Sequence, residues 1–234
     1  MRSERDTPRS IISGEASTVD EATLRERLAV YLVADPEATS RPLLDDVQAA
    51  LDGGATCVQL RAKRLDGYDL WRLATTMKFL CAQFGALFFV NDRLDVALAA
   101  GADGVHLGTS DLPPDVARTL TPPGFLIGFS PKTLDDVTAT ARLGADYAGL
   151  GPVFPTGSKA DAQSPIGLDG LRAQVAACRV PTVGIGGITI ANAPEVIGAG
   201  ADGVAVISAI LGTEDPAAAT EALAREVNTA LAAR

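Results

Sequence analysis

Polar side chains stand at the ends of several short apolar segments, in types and spacings suited to binding phosphate and a divalent cation. Gln59, Arg61 and Lys63 alternate along one such segment, so an extended chain points all three to the same side. Arginine binds phosphate through a planar fork, and lysine binds it as a mobile point charge. Because an isolated Arg-x-Lys pair is more often part of a surface salt-bridge cluster, it indicates a binding site only together with further residues.

Two aspartates supply those further residues. Asp92 directly follows Asn91 after one apolar segment, and Asp111 closes the loop after the next. Mg²⁺ prefers one or two carboxylates together with phosphate oxygens and water, so two carboxylates beside a basic pair suit a Mg²⁺–diphosphate site. Helix capping is the plainer interpretation of each aspartate alone, but the combination with the basic pair favours the metal site.

Small and hydroxyl-bearing residues indicate a second anion site. Residues 156–159 (Thr-Gly-Ser-Lys) lie in one long loop, which offers backbone amides, two hydroxyls and a cation to an oxyanion. Gly186-Gly187 follows another apolar segment, where the missing side chains let the backbone approach a phosphate closely. The alternatives are a flexible loop for the first segment and a tight turn for the second.

The single histidine, His106, lies within an apolar segment, where a hydrogen-bonded core imidazole is a more common role than a catalytic base. With no second histidine, and with cysteines that lack metal-type spacing, the sequence does not indicate a zinc site. No Gly-x-Ser-x-Gly elbow or Walker-type loop occurs either. The residues therefore favour chemistry in which phosphate charge is bound and stabilised.

The overall composition limits the kinds of partner and the cellular location that we expect. A formal net charge of −9 argues against a general surface for nucleic acid or anionic membranes. No window reaches the roughly 18 apolar residues of a membrane span, and the mixed-charge N-terminus lacks the apolar core of a secretory signal. We therefore expect a cytoplasmic protein with small-molecule partners, and a homo-oligomer is left open.

A recurring sequence motif indicates how these residues are positioned. Gly-Gly-Ala-Thr at 53–56 and Gly-Ala-Asp at 101–103, 144–146 and 200–202 each place glycine where a helix should end, before a short apolar segment. Such repeats predict a parallel α/β fold of successive helix-to-strand returns. Strands are predicted at residues 28–33, 56–60, 87–90, 104–107, 126–129, 147–150, 182–185 and 203–207. Their near-continuous apolar character is typical of strands buried on both faces.

Helices are predicted between these strands, for example at residues 41–52, 68–84, 134–143 and 191–197. A final helix has Asp215 as its N-cap and Pro216 at its first position. Eight strands alternating with about eight helices in 234 residues predict a single (β/α)8 TIM barrel, with an open, doubly wound sheet as the alternative. In such a barrel, the loops that follow the strands build the active site.

The barrel domain is assigned to residues 28–234, and residues 1–27 form a short N-terminal extension. We expect this extension to be partly disordered or helical. Thr18 and Glu21 have the spacing of a capping box, which predicts a short helix after them.

From about residue 28 to its C-terminal helix, the chain resembles the thiamine-phosphate synthase family. The motifs that carry the resemblance lie at 58–63 (Val-Gln-Leu-Arg-Ala-Lys), 91–92 (Asn-Asp), 104–111 (Gly-Val-His-Leu-Gly-Thr-Ser-Asp), 149–156 (Gly-Leu-Gly-Pro-Val-Phe-Pro-Thr), 183–189 (Val-Gly-Ile-Gly-Gly-Ile-Thr) and 205–210 (Ala-Val-Ile-Ser-Ala-Ile). The resemblance implies a TIM-barrel transferase of thiamine biosynthesis. Its members condense 4-amino-2-methyl-5-hydroxymethylpyrimidine diphosphate with 4-methyl-5-(2-hydroxyethyl)thiazole phosphate, giving thiamine phosphate and pyrophosphate.

The resemblance also implies a role for each matching residue. The residues that would bind the pyrimidine diphosphate are Gln59, Arg61, Lys63 and Asn91. Asp92 and Asp111 would hold Mg²⁺, Ser130 would lie at the pyrimidine side, and Lys159 would lie against the diphosphate. The thiazole phosphate would be held by Thr156, Gly157, Ser158, Gly187, Ile207 and Ser208. The catalytic set implied in this way is Arg61, Lys63, Ser130 and Lys159.

Four positions depart from the family pattern: Ala62 replaces Glu, Thr109 replaces Gln, Lys132 replaces His and Ser158 replaces Thr. The diphosphate and metal residues remain, so we expect activity. Lys132 counts against a thiazole tautomerase, which would use a histidine there. Sugar-phosphate epimerases lack the Gln-Leu-Arg-x-Lys and Asn-Asp motifs. A non-catalytic binder of thiazole or thiamine phosphate would bind without Mg²⁺-dependent turnover.

Overall fold

The computed structural model describes residues 19–157 and 164–234, and this part of the chain forms one closed barrel of eight parallel strands in the order β1 to β8. The strands are β1 (Val30–Ala34), β2 (Cys57–Leu60), β3 (Leu87–Asn91), β4 (Gly104–Gly108), β5 (Leu126–Ser130), β6 (Tyr147–Leu150), β7 (Thr182–Ile185) and β8 (Gly203–Val206). Strand β1 pairs with both β2 and β8, which closes the barrel. The TIM-barrel prediction is confirmed, and the open sheet is excluded.

Helices alternate with these strands on the outside of the barrel. They are α1 (Glu21–Arg27), α2 (Leu43–Asp52), α3 (Gly67–Gln83), α4 (Leu94–Ala99), α5 (Pro114–Leu120), α6 (Leu134–Ala139), α7 (Gly167–Ala177), α8 (Ala193–Gly198), α9 (Ser208–Leu211) and α10 (Pro216–Ala232). The predicted cap of the last helix is confirmed, because the Asp215 side chain accepts a hydrogen bond of 3.0 Å from the Ala218 amide.

The predicted start of the first helix is wrong. Its N-cap is Asp20, whose side chain accepts a hydrogen bond of 2.8 Å from the Thr23 amide. Thr18, the predicted cap, lies outside the described residues. Asp20 satisfies a first-turn amide as a capping residue should, so the helix begins two residues later than a Thr18-to-Glu21 capping box requires.

The last residue of each copy of the recurring sequence motif forms a hydrogen bond that joins an even-numbered strand to the odd-numbered strand before it. Asp103 precedes β4 and accepts a hydrogen bond of 2.8 Å from the Phe88 amide in β3. Asp146 does the same for Ile127 in β5, at 2.6 Å. The barrel is therefore built from four similar two-strand units.

The other two copies of the motif form the same kind of hydrogen bond. Asp202 precedes β8 and accepts a hydrogen bond of 2.8 Å from the Thr182 amide in β7. Thr56 precedes β2, and its hydroxyl accepts a hydrogen bond of 3.0 Å from the Val30 amide in β1. A threonine therefore takes the place of aspartate in one unit without loss of the contact.

Helix α1 lies at the end of the barrel where the strands begin. Leu24 is buried, and Arg25 forms an ion pair of 2.6 Å with Asp202, the residue before β8. The opposite end, where the strands finish, is left to the loops. In the part of the chain that the structure describes, no helix is long and apolar enough to cross a bilayer.

Candidate active site

A cavity of about 760 Å³ opens at the carboxyl ends of the strands. The predicted site residues that line it are Arg61, Lys63, Asn91, Asp92, Asp111, Ser130, Thr156, Gly157, Gly187, Ile207 and Ser208. They follow β2 to β8 and are scattered over some 150 residues of sequence, yet the barrel brings them around one space. The sequence-based rule that chemistry follows the strands therefore located the cavity correctly.

Three predicted residues stand apart from this set. Gln59 does not line the cavity: it is buried within the barrel, where its side-chain amide donates a hydrogen bond of 2.6 Å to the Tyr31 hydroxyl. Its contact with substrate stays a prediction. Ser158 and Lys159 lie outside the described residues.

Arg61 is held in place by a carboxylate beside it. The residue follows β2, and its guanidinium donates a hydrogen bond to Asp35, the first residue after β1. Both side chains are nearly buried, at 11% and 7% exposure. An ion pair at this depth fixes the orientation of the guanidinium, so Arg61 presents its remaining donors from a defined position.

The two aspartates predicted to bind metal lie next to one another. Asp92 adopts φ 63°, a left-handed conformation that aspartate tolerates better than most residues. Its pKa is raised to about 6, first by burial and then by the neighbouring Asp111 carboxyl, against the lowering effect of Lys63 and Arg61. The Lys63 ammonium lies 3.7 Å from the Asp92 carboxylate. Two carboxylates are therefore crowded together at the cavity wall, with cations behind them.

This pair suits a divalent cation that is shared with a phosphorylated substrate. Across residues 19–157 and 164–234, no group of three or more His, Cys, Asp or Glu side chains is placed to hold a metal ion. Asp92 and Asp111 offer hard oxygen ligands, and a bound cation would offset both the burial and the neighbouring Asp111 carboxyl that raise the Asp92 pKa. Mg²⁺ commonly takes one or two carboxylates and completes its shell with phosphate oxygens and water.

The wall opposite these carboxylates is formed by the loops after β6 and β7, which approach each other closely. A Cβ on Gly186 would lie 2.5 Å from the Pro152 Cβ, and one on Gly187 would lie 2.5 Å from the Pro155 carbonyl oxygen. Both glycines also adopt positive φ, at 98° and 66°. The Gly-Gly pair is therefore required by loop packing and by backbone conformation, and it leaves bare backbone facing the cavity.

Side chains and a helix start complete this wall. Asn192 donates a hydrogen bond of 3.1 Å to the Gly187 carbonyl and accepts one of 2.7 Å from the Thr189 amide, which fixes the turn. Ser208 begins α9, so first-turn amides and a hydroxyl meet there. Among the residues of this wall that the structure describes, no carboxylate lines the cavity, and backbone amides and hydroxyls suit a phosphate, as the sequence predicted for this side.

Some residues at or beside the cavity were not predicted as site residues by the sequence analysis. Asp35 follows β1 directly, so the same rule applied to the first strand would have found it. Thr109 and Lys132, noted only as departures from a family pattern, line the cavity, whereas Ala62 is buried. His106 was expected to be a hydrogen-bonded core imidazole, and its ring nitrogens do lie 2.9 Å from the Tyr147 hydroxyl and 2.8 Å from the Ser130 hydroxyl; the contact with Ser130, which lines the cavity, was not predicted. No sequence signal links His106 with Ser130, and the two are brought together by the pairing of β4 with β5.

The cavity has two walls of unlike chemistry. The wall from β2 to β4 carries two cations and two carboxylates, as a metal-bound diphosphate requires. The wall from β6 to β8 carries bare backbone and hydroxyls, as a single phosphate requires. Such a cavity can align two phosphorylated molecules and stabilise a departing diphosphate.

Comparison with known proteins agrees with this geometry. Residues 30–210 match the family model described as thiamine monophosphate synthase. The chain is 54% identical over 189 residues to the thiamine-phosphate synthase of Moorella thermoacetica, covering 81% of this chain and 90% of that protein. It is 49% identical over 205 residues to that of Albidiferax ferrireducens, covering 87% and 94%.

A solved structure is also similar throughout. The thiamine phosphate pyrophosphorylase from Pyrococcus furiosus superposes with a TM-score of 0.83 at 43% identity, covering 89% of this chain and 99% of that one. The family match over residues 30–210 includes all eight strands of the barrel.

Proposed function

The chain belongs to the thiamine monophosphate synthase family, and on that premise we propose that it is a transferase joining hydroxymethylpyrimidine diphosphate to hydroxyethylthiazole phosphate. The bond between the pyrimidine methylene carbon and the bridging oxygen breaks, and both electrons leave with pyrophosphate. The thiazole nitrogen then donates its lone pair to that carbon. The products are thiamine phosphate and pyrophosphate. Residues 28–234 form the catalytic domain in this proposal.

The observation that carries the proposal is the pairing of two unlike anion sites in one cavity. Arg61 and Lys63 bind the diphosphate and stabilise the negative charge that develops as it departs. Asn91 binds beside them, and Ser130 lies towards the pyrimidine. Lys159, in the loop after β6, is proposed to approach the same diphosphate.

Asp92 and Asp111 hold Mg²⁺ in this scheme, and the ion would neutralise charge on the diphosphate oxygens. The reaction needs no strong general base, because the aminopyrimidine ring stabilises positive charge on its own methylene carbon. This requirement fits the described residues of the cavity wall, which supply cations, carboxylates and hydrogen-bond donors and include no histidine or cysteine.

The opposite wall holds the thiazole phosphate. The proposed ligands are the backbone and side chains of Thr156, Gly157, Ser158, Gly187, Ile207 and Ser208. Those of them that the structure describes lie across the cavity from Arg61, so in this proposal the thiazole ring lies between its own phosphate and the departing diphosphate. Alignment of the two rings then supplies much of the rate enhancement.

A thiazole tautomerase and a non-catalytic binder are the competing functions. A tautomerase would use a histidine near position 132 for proton transfer, where this chain has lysine at the cavity wall. A non-catalytic binder does not need the adjacent carboxylates of Asp92 and Asp111, which destabilise the fold unless a cation binds them. Both features favour the coupling reaction.

The test is to mix the purified protein with the two substrates, with and without Mg²⁺, and to measure thiamine phosphate and pyrophosphate together. We expect both products in equal amounts, only with Mg²⁺, and their loss in Arg61→Ala. Asp115→Ala provides the control, because this exposed aspartate lies on α5 away from the cavity. Folded protein that binds thiazole phosphate but forms neither product would contradict the proposal.

A further inference from the structure

A hydrogen-bonded chain of five side chains runs through the barrel interior to the cavity. The Gln59 amide nitrogen lies 2.6 Å from the Tyr31 hydroxyl, and that hydroxyl lies 2.8 Å from the Tyr147 hydroxyl. The Tyr147 hydroxyl lies 2.9 Å from His106 Nδ1, and His106 Nε2 lies 2.8 Å from Ser130 Oγ. Of the five, Ser130 lines the cavity, so the chain connects the buried interior with the site.

Glycines leave the space that this chain occupies. Gly128 pairs with His106 on one side and with Tyr147 on the other. A Cβ on Gly128 would lie 2.4 Å from the Tyr147 hydroxyl and 2.5 Å from His106 Nδ1. A Cβ on Gly149 would lie 3.2 Å from the imidazole and 3.3 Å from Ser130 Oγ. The missing side chains in β5 and β6 therefore allow the hydrogen bonds to form.

The direction of the donors follows from the first member of the chain. An amide NH2 group only donates, so the Tyr31 oxygen accepts from Gln59 and its single hydrogen is available to the Tyr147 hydroxyl, 2.8 Å away. Tyr147 in turn donates to His106 Nδ1. Burial raises the pKa of both tyrosines well above the usual value, so both keep their hydrogens.

This donor direction selects one tautomer of a neutral imidazole. With Nδ1 accepting from Tyr147, a neutral His106 ring carries its hydrogen on Nε2 and donates it to Ser130 Oγ. The oxygen of Ser130 is thereby occupied as an acceptor, and its own hydrogen is free to point into the cavity.

We propose that His106 is a positioning residue, which holds Ser130 as a hydrogen-bond donor towards the substrate while Gln59, Tyr31 and Tyr147 fix the direction of that donation. The inference rests on the proposed coupling reaction for its kinetic consequences. Its structural content, the Nε2–H tautomer of a neutral ring, stands apart from activity and is measured separately.

The first experiment uses the fact that His106 is the only histidine of the chain. Tag-free protein labelled with ¹⁵N-histidine gives a single imidazole, whose nitrogen and carbon-bound proton shifts identify the tautomer. We expect the neutral Nε2–H form at pH 7 in the wild type, and a mixture of tautomers in Tyr147→Phe. Tyr68→Phe is the matched control, because it removes a hydroxyl from an exposed tyrosine.

The second experiment is a double-mutant cycle on the rate of thiamine phosphate formation. His106→Phe should lower kcat by about tenfold or more, with KM for the thiazole phosphate changed by less than about twofold. In a Ser130→Ala background the same substitution should lower kcat by less than about twofold further, because His106 acts through Ser130. His106→Gln, whose amide can donate to Ser130, should recover part of the rate.

Different results would separate this inference from the proposed function. An Nδ1–H tautomer or an imidazolium at pH 7 would overturn the inference even in an active enzyme. Equal losses from His106→Phe in both backgrounds would assign the histidine a purely structural role and overturn it as well. A wild-type protein that makes no thiamine phosphate, yet shows the Nε2–H tautomer, would contradict the coupling reaction and leave the hydrogen-bond geometry intact.

Discussion

Asp35 and Arg61, the residues that follow β1 and β2, form a nearly buried ion pair at the edge of the cavity. The pair links two neighbouring strand ends and leaves part of the guanidinium facing the space where the diphosphate is proposed to bind. A carboxylate so close to an anion-binding arginine opposes anion binding. The presence of Asp35 indicates that a fixed orientation of the Arg61 guanidinium matters more to this site than the stronger positive charge that an unpaired arginine would supply.

Asp35→Asn should therefore weaken both the fold and the reaction. The substitution keeps the side-chain shape but leaves the Arg61 charge without its counterion, which should cost about 2 kcal/mol of unfolding free energy. With the guanidinium no longer fixed, kcat should fall by about tenfold. Urea denaturation and steady-state kinetics measure the two effects. Asp45→Asn, the same change at an exposed position on α2, should alter neither. An unchanged kcat would show that Asp35 does not position Arg61.

Asp92→Asn should stabilise the protein in the absence of divalent cations while abolishing the coupling reaction. The folded-state pKa of Asp92 is raised to about 6 from 3.8. Its contribution to stability is therefore fully present below pH 3.8 and is lost as the pH rises through 6. At pH 7 the variant should be more stable than the wild type by about 1 to 2 kcal/mol.

The pH dependence of stability distinguishes the effect of the raised Asp92 pKa from an effect of the backbone conformation. Asparagine also tolerates the left-handed conformation at position 92, but that advantage is the same at every pH. Urea denaturation with a chelator at pH 4 and pH 7 should show that the excess stability of the variant grows between them. Mg²⁺ with pyrophosphate should stabilise the wild type more than the variant. A stability difference that does not change with pH would contradict the assigned cause.

The polar residues of the cavity could be predicted from the sequence because of one property of parallel barrels. Every strand finishes at the same end, so residues directly after apolar segments converge whatever their separation along the chain. Asp92 and Asp111 lie next to one another for this reason alone. The same logic extends to Asp35, which would have been found had the residues after β1 been considered.

The interior could not be predicted in this way. Tyr31 and Tyr147 lie in apolar strands and read as core residues, and no local pattern indicates that their hydroxyls meet across 116 residues. The gap above Gly128 that admits His106 depends on strand register, which the apolar pattern of fully buried strands leaves unspecified. The close packing of Gly186 against Pro152 likewise depends on two loops from different strands.

The repeated aspartates offer a stability test that leaves the chemistry alone. Asp103 accepts hydrogen bonds from a strand amide and from Lys78, both at the end of the barrel opposite the cavity. Asp103→Ala should lower the unfolding free energy by about 2 kcal/mol, because a buried amide and a cation each lose a charged partner. The value of kcat should stay unchanged. Asp169→Ala, which removes an almost fully exposed carboxylate, serves as the control and should have little effect on stability. A large fall in kcat for Asp103→Ala would indicate that the strand ends communicate with the cavity.

Gly186→Ala should impair the thiazole-phosphate wall specifically. The added Cβ would lie 2.5 Å from the Pro152 Cβ and 2.7 Å from its Cα, and position 186 has φ 98°, so the backbone cannot keep its conformation without strain. The loops after β6 and β7 must separate, which displaces the backbone around Gly187. We expect KM for the thiazole phosphate to rise by about tenfold, with a smaller change in KM for the pyrimidine diphosphate, because the latter binds the opposite wall. Gly198→Ala makes the same change in open space at an exposed position in α8, and it should alter neither constant. Equal increases in both KM values for Gly186→Ala would mean that the two walls do not bind separate substrates.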